Sequence, residues 1–148
     1  MRKVALILFF IFSFSNIGKV YSRNLQIDTC LVGTWSGSEK DEQVKGVQVN
    51  WIQYRYPNGK LLTRFTTTYL GEQSVSTETG KWWVENGKFY EKSDESKKPD
   101  IYSYEVVDKN HIIFRAIKLG TDFENKNYQF VDAVGARWRG SVTRANME

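Results

Sequence analysis

The sequence predicts an all-β domain: a single antiparallel up-and-down β-barrel of about eight strands, with a β-sandwich as the alternative. Short runs of β-branched and aromatic residues recur at hairpin spacing over residues 31–144, a pattern typical of barrels and sandwiches. Two Asn-Gly pairs, at 58–59 and 86–87, mark tight hairpin turns. No long segment after residue 22 has the periodicity of an amphipathic helix.

Residues 1–22 are predicted to be a cleavable signal peptide. Arg2 and Lys3 form a basic head, and the eleven residues 4–14 that follow carry no charge. Cleavage after Ser22 and cleavage after Ser15 both satisfy the small-residue rule. A membrane anchor is the alternative, but this run is little more than half of the roughly 20 apolar residues that a spanning helix needs. We therefore expect a periplasmic or secreted protein without a transmembrane segment after cleavage.

Removal of the signal leaves one domain, residues 23–148, with almost no net charge. The signal contains three of the 21 basic side chains and none of the 17 acidic ones, so the net charge falls from +4 to +1. Basic and acidic residues are interspersed, which gives no indication of nucleic-acid binding. We expect a monomer.

Cys30 is the only cysteine, so an internal disulfide is excluded. Unpaired cysteine is among the most buried residue types, and we expect Cys30 to be a small buried hydrophobic residue. An intermolecular disulfide and lipidation are the alternatives.

The strands follow one another through short turns, so each is expected to pair with the next. Closing such a meander removes the exposed edges of an open sheet. The wholly polar segment 93–100 is predicted to be a solvated loop. Strands are expected at residues 31–35, 47–56, 61–70, 74–85, 88–92, 101–107, 111–117 and 126–131, with a last one at 137–144.

The second predicted strand changes its apolar face part-way along. Val49 and Trp51 have one parity, whereas Ile52 and Tyr54 have the other. A β-bulge near Trp51 would explain the change, because one extra residue inverts which side chains face inward. Alternatively, half of the strand lines a partly polar cavity.

Gly33-Thr34-Trp35, just before the series of strands, resembles the Gly-x-Trp signature of the calycin superfamily, the lipocalins and their relatives. The resemblance implies that Trp35 plugs the closed end of the barrel and that a basic residue of the last strand, Arg137 or Arg139, covers it. Thr121-Asp122-Phe123 is similar to a second lipocalin motif. Only nine residues follow Arg139, so the resemblance favours a small bacterial lipocalin-like domain without the outer helix of typical lipocalins.

Aromatic side chains are the strongest indication of a binding site. Seventeen of them fall within residues 23–148. Core packing is the alternative, and it is favoured for phenylalanines such as Phe65 and Phe114. A buried tyrosine hydroxyl needs a hydrogen-bond partner, so tyrosines on strands suit a cavity wall. The candidate ligand-binding residues are Trp51, Tyr54, Arg64, Phe65, Tyr69, Trp83, Tyr102 and Tyr104.

No catalytic or metal-binding constellation is predicted. Metal sites usually take three or four protein ligands, chiefly His and Cys, and the chain has one of each, His111 and Cys30. We expect His111 to be exposed at a hairpin tip and no cofactor to be bound, with haem ligation through His111 as the alternative. Ser36 lacks the strand-turn-helix setting of a catalytic nucleophile, so no enzyme activity is predicted.

Two hypotheses about function follow. In the first, the protein is an exported carrier that holds a small, largely apolar molecule in the barrel. In the second, it is a protein-binding module of the cell envelope, an inhibitor or assembly factor. Trp82 and Trp83 motivate the second hypothesis, because adjacent residues of a strand face opposite sides and an exposed tryptophan can anchor a partner.

Overall fold

The structure, a computed structural model, describes residues 26–42, 44–120 and 127–135. They form a closed antiparallel barrel in which each of eight strands pairs with the next and the last pairs with the first, which confirms the predicted fold class. A 3-10 helix, Thr29–Leu31, precedes the barrel. The strands are β1 (Gly33–Lys40), β2 (Val47–Arg55), β3 (Lys60–Tyr69), β4 (Glu72–Glu85), β5 (Lys88–Ser93), β6 (Asp100–Asp108), β7 (His111–Lys118) and β8 (Gln129–Val134).

The first strand differs most from its prediction. Leu31 belongs to the 3-10 helix, and β1 continues to Lys40 through residues with little apolar character. Pairing with β2 along the whole length of β1 explains the extension, since backbone hydrogen bonds require no apolar side chains. The predicted strand at 137–144, the motif at 121–123 and the signal peptide lie outside the described residues.

The predicted β-bulge near Trp51 is wrong. Strand β2 keeps an unbroken register with β1 and with β3. The odd-numbered residues Trp51, Gln53 and Arg55 are all buried. The apolar pattern changes face because the inner side of β2 carries polar residues near its end, as the alternative interpretation proposed. The register shifts occur between β6 and β7 instead.

The closed end of the barrel is the end at which β1 begins, and it contains the hydrophobic core. Leu31, Trp82, Phe89 and Phe114 are fully buried there. Trp35 is 4% exposed, and its indole Nε1 donates a hydrogen bond to the carbonyl oxygen of Leu31 at 2.9 Å. Trp35 therefore plugs this end, as expected, and is tied to the 3-10 helix beneath it.

The segment before β1 seals the closed end. Gln26 forms an isolated antiparallel bridge with Val84, and the Val84 N–H donates to the Gln26 carbonyl at 2.7 Å. Cys30 is exposed, so the expectation that it is buried is wrong. The Asp28 carboxylate accepts a hydrogen bond from the Cys30 N–H at 3.0 Å, and the turn capped in this way directs Leu31 into the core and leaves Cys30 outside.

The opposite end, called the open end here, is incompletely walled. In β4, residues 72–79 pair with β3 only, because pairing with β5 begins at Gly80. All eight of these residues are exposed. Strand β1 pairs with β8 only at Trp35 and Ser36, near the closed end. The barrel wall therefore separates toward this end between β4 and β5 and between β1 and β8, whereas the segment before β1 covers the closed end.

Candidate ligand-binding cavity

A cavity of about 380 Å³ occupies the open half of the barrel interior. This volume is within the range of small-molecule sites in proteins, roughly 300–1,000 Å³. Its walls combine aromatic rings, hydroxyl groups and carboxylates. The lining residues are Glu39, Val49, Trp51, Gln53, Thr63, Phe65, Thr67, Ser76, Glu78, Glu91, Asp100, Tyr102, Leu119, Tyr128 and Phe130.

The inner wall of β2 builds a polar floor between the cavity and the core. The Trp51 Nε1 donates to Asp132 Oδ1 at 2.8 Å, and the Arg55 guanidinium donates to the other oxygen of the same carboxylate. The Arg55 Nε donates to Gln53 Oε1 at 2.6 Å. Gln53 in turn donates through Nε2 to Thr63 and Glu91, at 3.1 Å each. This network fixes the position of the Trp51 indole and of one Glu91 carboxylate oxygen.

Arg55 and Asp132 form an ion pair whose side chains are both fully buried. The Arg55 guanidinium lies 4.8 Å from the ring centroid of Phe114, 4.9 Å from that of Phe89 and 5.9 Å from that of Trp35. Its Nη1 makes no hydrogen bond within the described residues, and the surrounding aromatic faces provide cation–π contact in its place. Arg55 therefore packs over Trp35 from the cavity side.

Arg55 was not among the residues predicted from the sequence, and the resemblance to calycins implied a cover over Trp35 by Arg137 or Arg139. Both of those residues lie outside the described part of the chain. Parity could have identified Arg55, because it follows Trp51 and Gln53 on the same face of β2. The assumed bulge would have placed it outside.

Trp51 packs directly against a glycine. A Cβ atom on Gly37 would lie 2.2 Å from a ring carbon of Trp51, so the indole occupies the space that a side chain would need. The Trp51 ring also meets Phe130 edge-on, with 5.4 Å between centroids. Together these contacts make a rigid aromatic wall on one side of the cavity.

Four carboxylates line the cavity, and its lining includes no Lys or Arg among the described residues. Glu91 and Asp100 are direct partners in the β5–β6 register, where like charges oppose each other at short range. Burial raises the pKa of Glu91 to about 7, although the Arg55 guanidinium lowers it. Burial also raises the pKa of Asp100 and of Glu78, and the negative charge of Glu95 adds to the effect on Glu78.

Tyr102 points into this group of acids. Its side chain is 4% exposed and lines the cavity. Burial raises its pKa well above 10, and the negative charges of Glu91 and Asp100 add to this effect. Among the described residues Tyr102 makes ring contacts with Phe89, Phe114 and Phe130 but no hydrogen bond through its hydroxyl. By contrast, the neighbouring Tyr128 hydroxyl donates to Glu39.

Three of the eight predicted ligand-binding residues line the cavity: Trp51, Phe65 and Tyr102. Tyr54 and Arg64 line a shallow depression on the outer face of the barrel. Tyr54 is on β2 and Arg64 is on β3. Both have even numbers, and the odd-numbered residues of these two strands face the interior.

The remaining predicted residues also lie outside the cavity. Tyr69 is 51% exposed at the end of β3. Trp83 stacks on Tyr90 on the outer surface, with 5.2 Å between ring centroids. Tyr104 packs at the closed end, where its hydroxyl donates to Asp28 at 2.7 Å. The four acids and Tyr128 were not predicted to line the cavity, since alternation alone does not show which polar residues face inward.

His111 is at the closed end, away from the cavity. It begins β7 next to the β6–β7 turn, it is exposed, and its Nδ1 lies 3.0 Å from both carboxylate oxygens of Asp108. An imidazole in this position cannot reach a ligand in the open half of the barrel. In the described part of the chain, no three or more His, Cys, Asp or Glu side chains are grouped so that they could hold a metal ion.

No protein-family model matches this chain, and a search of curated proteins also gave no match. Within the described ranges no helix has the length and apolar character needed to cross a bilayer. The functional interpretation therefore depends on the geometry of the cavity.

Proposed function

We propose that this protein is an exported, calycin-type binding protein that holds a small molecule with a largely apolar body in the open half of its barrel. The observation that carries the proposal is the division of one barrel interior into a packed half and a hollow half of about 380 Å³. Side chains can fill an eight-stranded barrel completely, so an interior that is only half filled indicates a use for the space.

The cavity wall supports binding of an apolar body. Trp51, Phe65 and Phe130 present aromatic surface to the interior, and burial of apolar ligand surface contributes about 25 cal/mol per Å². The hydrogen-bonded floor holds Trp51 in place without the ligand, which reduces the entropy lost on binding.

Binding of the uncharged fluorescent probe N-phenyl-1-naphthylamine tests this function. We expect its emission to rise and saturate with the purified domain. Phe65→Ala should weaken binding because it removes aromatic wall, whereas Trp83→Ala, on the outer face, should leave binding unchanged. Equal binding by the wild-type protein and Phe65→Ala would place the probe outside the cavity.

Export is part of the proposal and has its own test. Expression of the full chain in a bacterium should give a processed protein whose amino-terminal residue is Arg23, or Asn16 if cleavage follows Ser15. Retention of residues 1–22 on the protein would contradict the signal-peptide interpretation.

The outer aromatic pair favours a second candidate function, that of a cell-envelope protein-binding module. Trp82 is fully buried, whereas Trp83 stacks on Tyr90 on the outer surface. Tryptophan and tyrosine are enriched at interface hot spots. This alternative would be supported if the wild-type protein captures an envelope protein and Trp83→Ala does not, while folding and probe binding of the variant are unchanged.

A further inference from the structure

We propose that the ligand of this cavity is an organic cation, a protonated amine on an aromatic or aliphatic body, held by the carboxylates of Glu78, Glu91 and Asp100 and by the Tyr102 hydroxyl. This inference rests on the proposed function and names the class of molecule that the same cavity takes. It narrows the class from apolar molecules in general to those that carry one basic group.

The distribution of charge is the first argument. Residues 23–148 contain 18 basic and 17 acidic side chains, yet the cavity lining includes four acids and no Lys or Arg among the described residues. Glu91 and Asp100 oppose each other across β5 and β6, so their repulsion when both are ionised favours a positive charge between them. Arg55 lowers the pKa of Glu91 from below, but its guanidinium is fully buried against Asp132 and does not line the cavity.

The Tyr102 hydroxyl is the second, independent argument. The side chain is more than nine-tenths buried and lines the cavity beside these acids, and its hydroxyl makes no hydrogen bond within the described residues. The hydroxyl oxygen is accessible from the cavity, so a ligand bound there can reach it. A ligand N–H group between the carboxylates would satisfy the hydroxyl oxygen as well.

The aromatic walls also fit an organic cation better than a metal ion. The three carboxylates come from β4, β5 and β6, and no group of three acids in the described residues converges as a metal site requires. Trp51, Phe65 and Phe130 offer ring surface to the cavity, which binds both an apolar body and, through cation–π attraction, a positive charge.

Isothermal titration calorimetry with three indoles of similar size tests the inference: tryptamine, the uncharged tryptophol and the anionic indole-3-propionate. The titrations are made at pH 8, above the pKa of about 7 of Glu91 and below that of an alkylamine. We expect tryptamine to bind about tenfold or more tightly than tryptophol, as a charge-assisted hydrogen bond implies, and indole-3-propionate to bind least.

Variants assign the effect to the cavity. Glu91→Gln and Glu78→Gln should each weaken tryptamine binding by about tenfold and leave tryptophol binding nearly unchanged. Tyr102→Phe should weaken tryptamine less. Glu78 is exposed at the cavity edge, so Glu78→Gln remains informative if Glu91→Gln perturbs the floor. The matched control is Glu105→Gln, an exposed acid that pairs with Arg115 outside the cavity, and it should have no effect.

The inference and the proposed function fail in different ways. Tryptophol or indole-3-propionate binding as tightly as tryptamine would overturn the cationic ligand and leave the binding function standing. An unchanged preference for tryptamine in both Glu91→Gln and Glu78→Gln would also overturn it, and so would loss of the preference in Glu105→Gln alone. Absence of binding by all three indoles and by N-phenyl-1-naphthylamine would overturn both.

Discussion

At the scale of single residues, the buried ion pair of Arg55 and Asp132 links the core to the cavity. Both side chains are fully buried, and Asp132 also accepts the Trp51 indole N–H. Removing two charges from water is costly, so such a pair adds little stability by itself, but breaking it leaves an unpaired charge in the interior.

Asp132→Ala should therefore be strongly destabilising. We expect the free energy of unfolding to fall by about 3–5 kcal/mol, measured by urea denaturation. The double variant Arg55→Leu, Asp132→Ala should lose less than Asp132→Ala alone, because no charge then remains buried without a partner. Greater stability of Asp132→Ala than of the double variant would contradict this account.

Glu91 should make stability depend on pH. Burial raises its pKa from 4.5 to about 7, with Arg55 opposing the rise and Asp100 and Asp132 adding to it. Because the folded state binds this proton more tightly, the stabilising contribution is complete below pH 4.5 and is lost as the pH rises through about 7. Urea unfolding of Glu91→Gln should show a flatter pH dependence than the wild type across that interval. A slope as steep as that of the wild type would rule out Glu91 as its source.

At the scale of elements, two hairpins with the same backbone geometry have different sequences. Asn86 and Gly87 join β4 to β5 with φ values of 52° and 69°, as the Asn-Gly signature predicts. Leu70 and Gly71 join β3 to β4 with φ values of 50° and 83°. Leucine is unfavourable in the left-handed region, and the sequence analysis consequently placed this turn at 71–73.

Leu70→Asn should stabilise the protein. Leu70 is 82% exposed, so its replacement removes little packing and relieves an unfavourable φ, and we expect a gain of about 0.5–1 kcal/mol. The matched control is Asn86→Leu, which should lose a similar amount. Thermal unfolding of both variants measures the difference, and a fall in Tm for Leu70→Asn would show that the leucine has a packing role at the hairpin tip.

At the scale of the whole molecule, the barrel combines a packed half with a hollow half. Phe114 belongs to the buried core, whereas Phe65 lines the cavity and is partly exposed. A phenylalanine therefore contributes to core packing at the closed end and to the cavity wall at the open end. Stability should depend mainly on the closed end, and binding on the open end.

Phe114→Ala and Phe65→Ala form a matched pair that tests this division. Phe114→Ala should lower the free energy of unfolding by about 3–5 kcal/mol, since it creates a cavity in the core. Phe65→Ala should cost about 1 kcal/mol and weaken binding of N-phenyl-1-naphthylamine. Urea denaturation and probe titration of both variants measure the two effects. Equal losses of stability would contradict the division.

Much of the fold was predictable from local features of the sequence. Strand positions follow from runs of β-branched and aromatic residues, and the Asn86-Gly87 turn follows from the backbone freedom of those two residues. Three cavity residues, Trp51, Phe65 and Tyr102, were also identified. Tyr54, Arg64, Tyr69, Trp83 and Tyr104 were chosen for their chemistry, and the structure places them away from the cavity.

The sequence by itself determined that this chain forms consecutive antiparallel hairpins, with Trp35 on the first strand, because hairpin pairing and turn geometry depend on neighbouring residues. Only the tertiary structure decided which polar residues face inward. Arg55 and Asp132 come from β2 and β8, which are far apart in sequence, and closure of the barrel brings them together. The acids of β4, β5 and β6 come from neighbouring strands, and closure turns them toward one interior. Their burial and their electrostatic coupling are properties of that closure, and a pattern of alternating residues does not contain them.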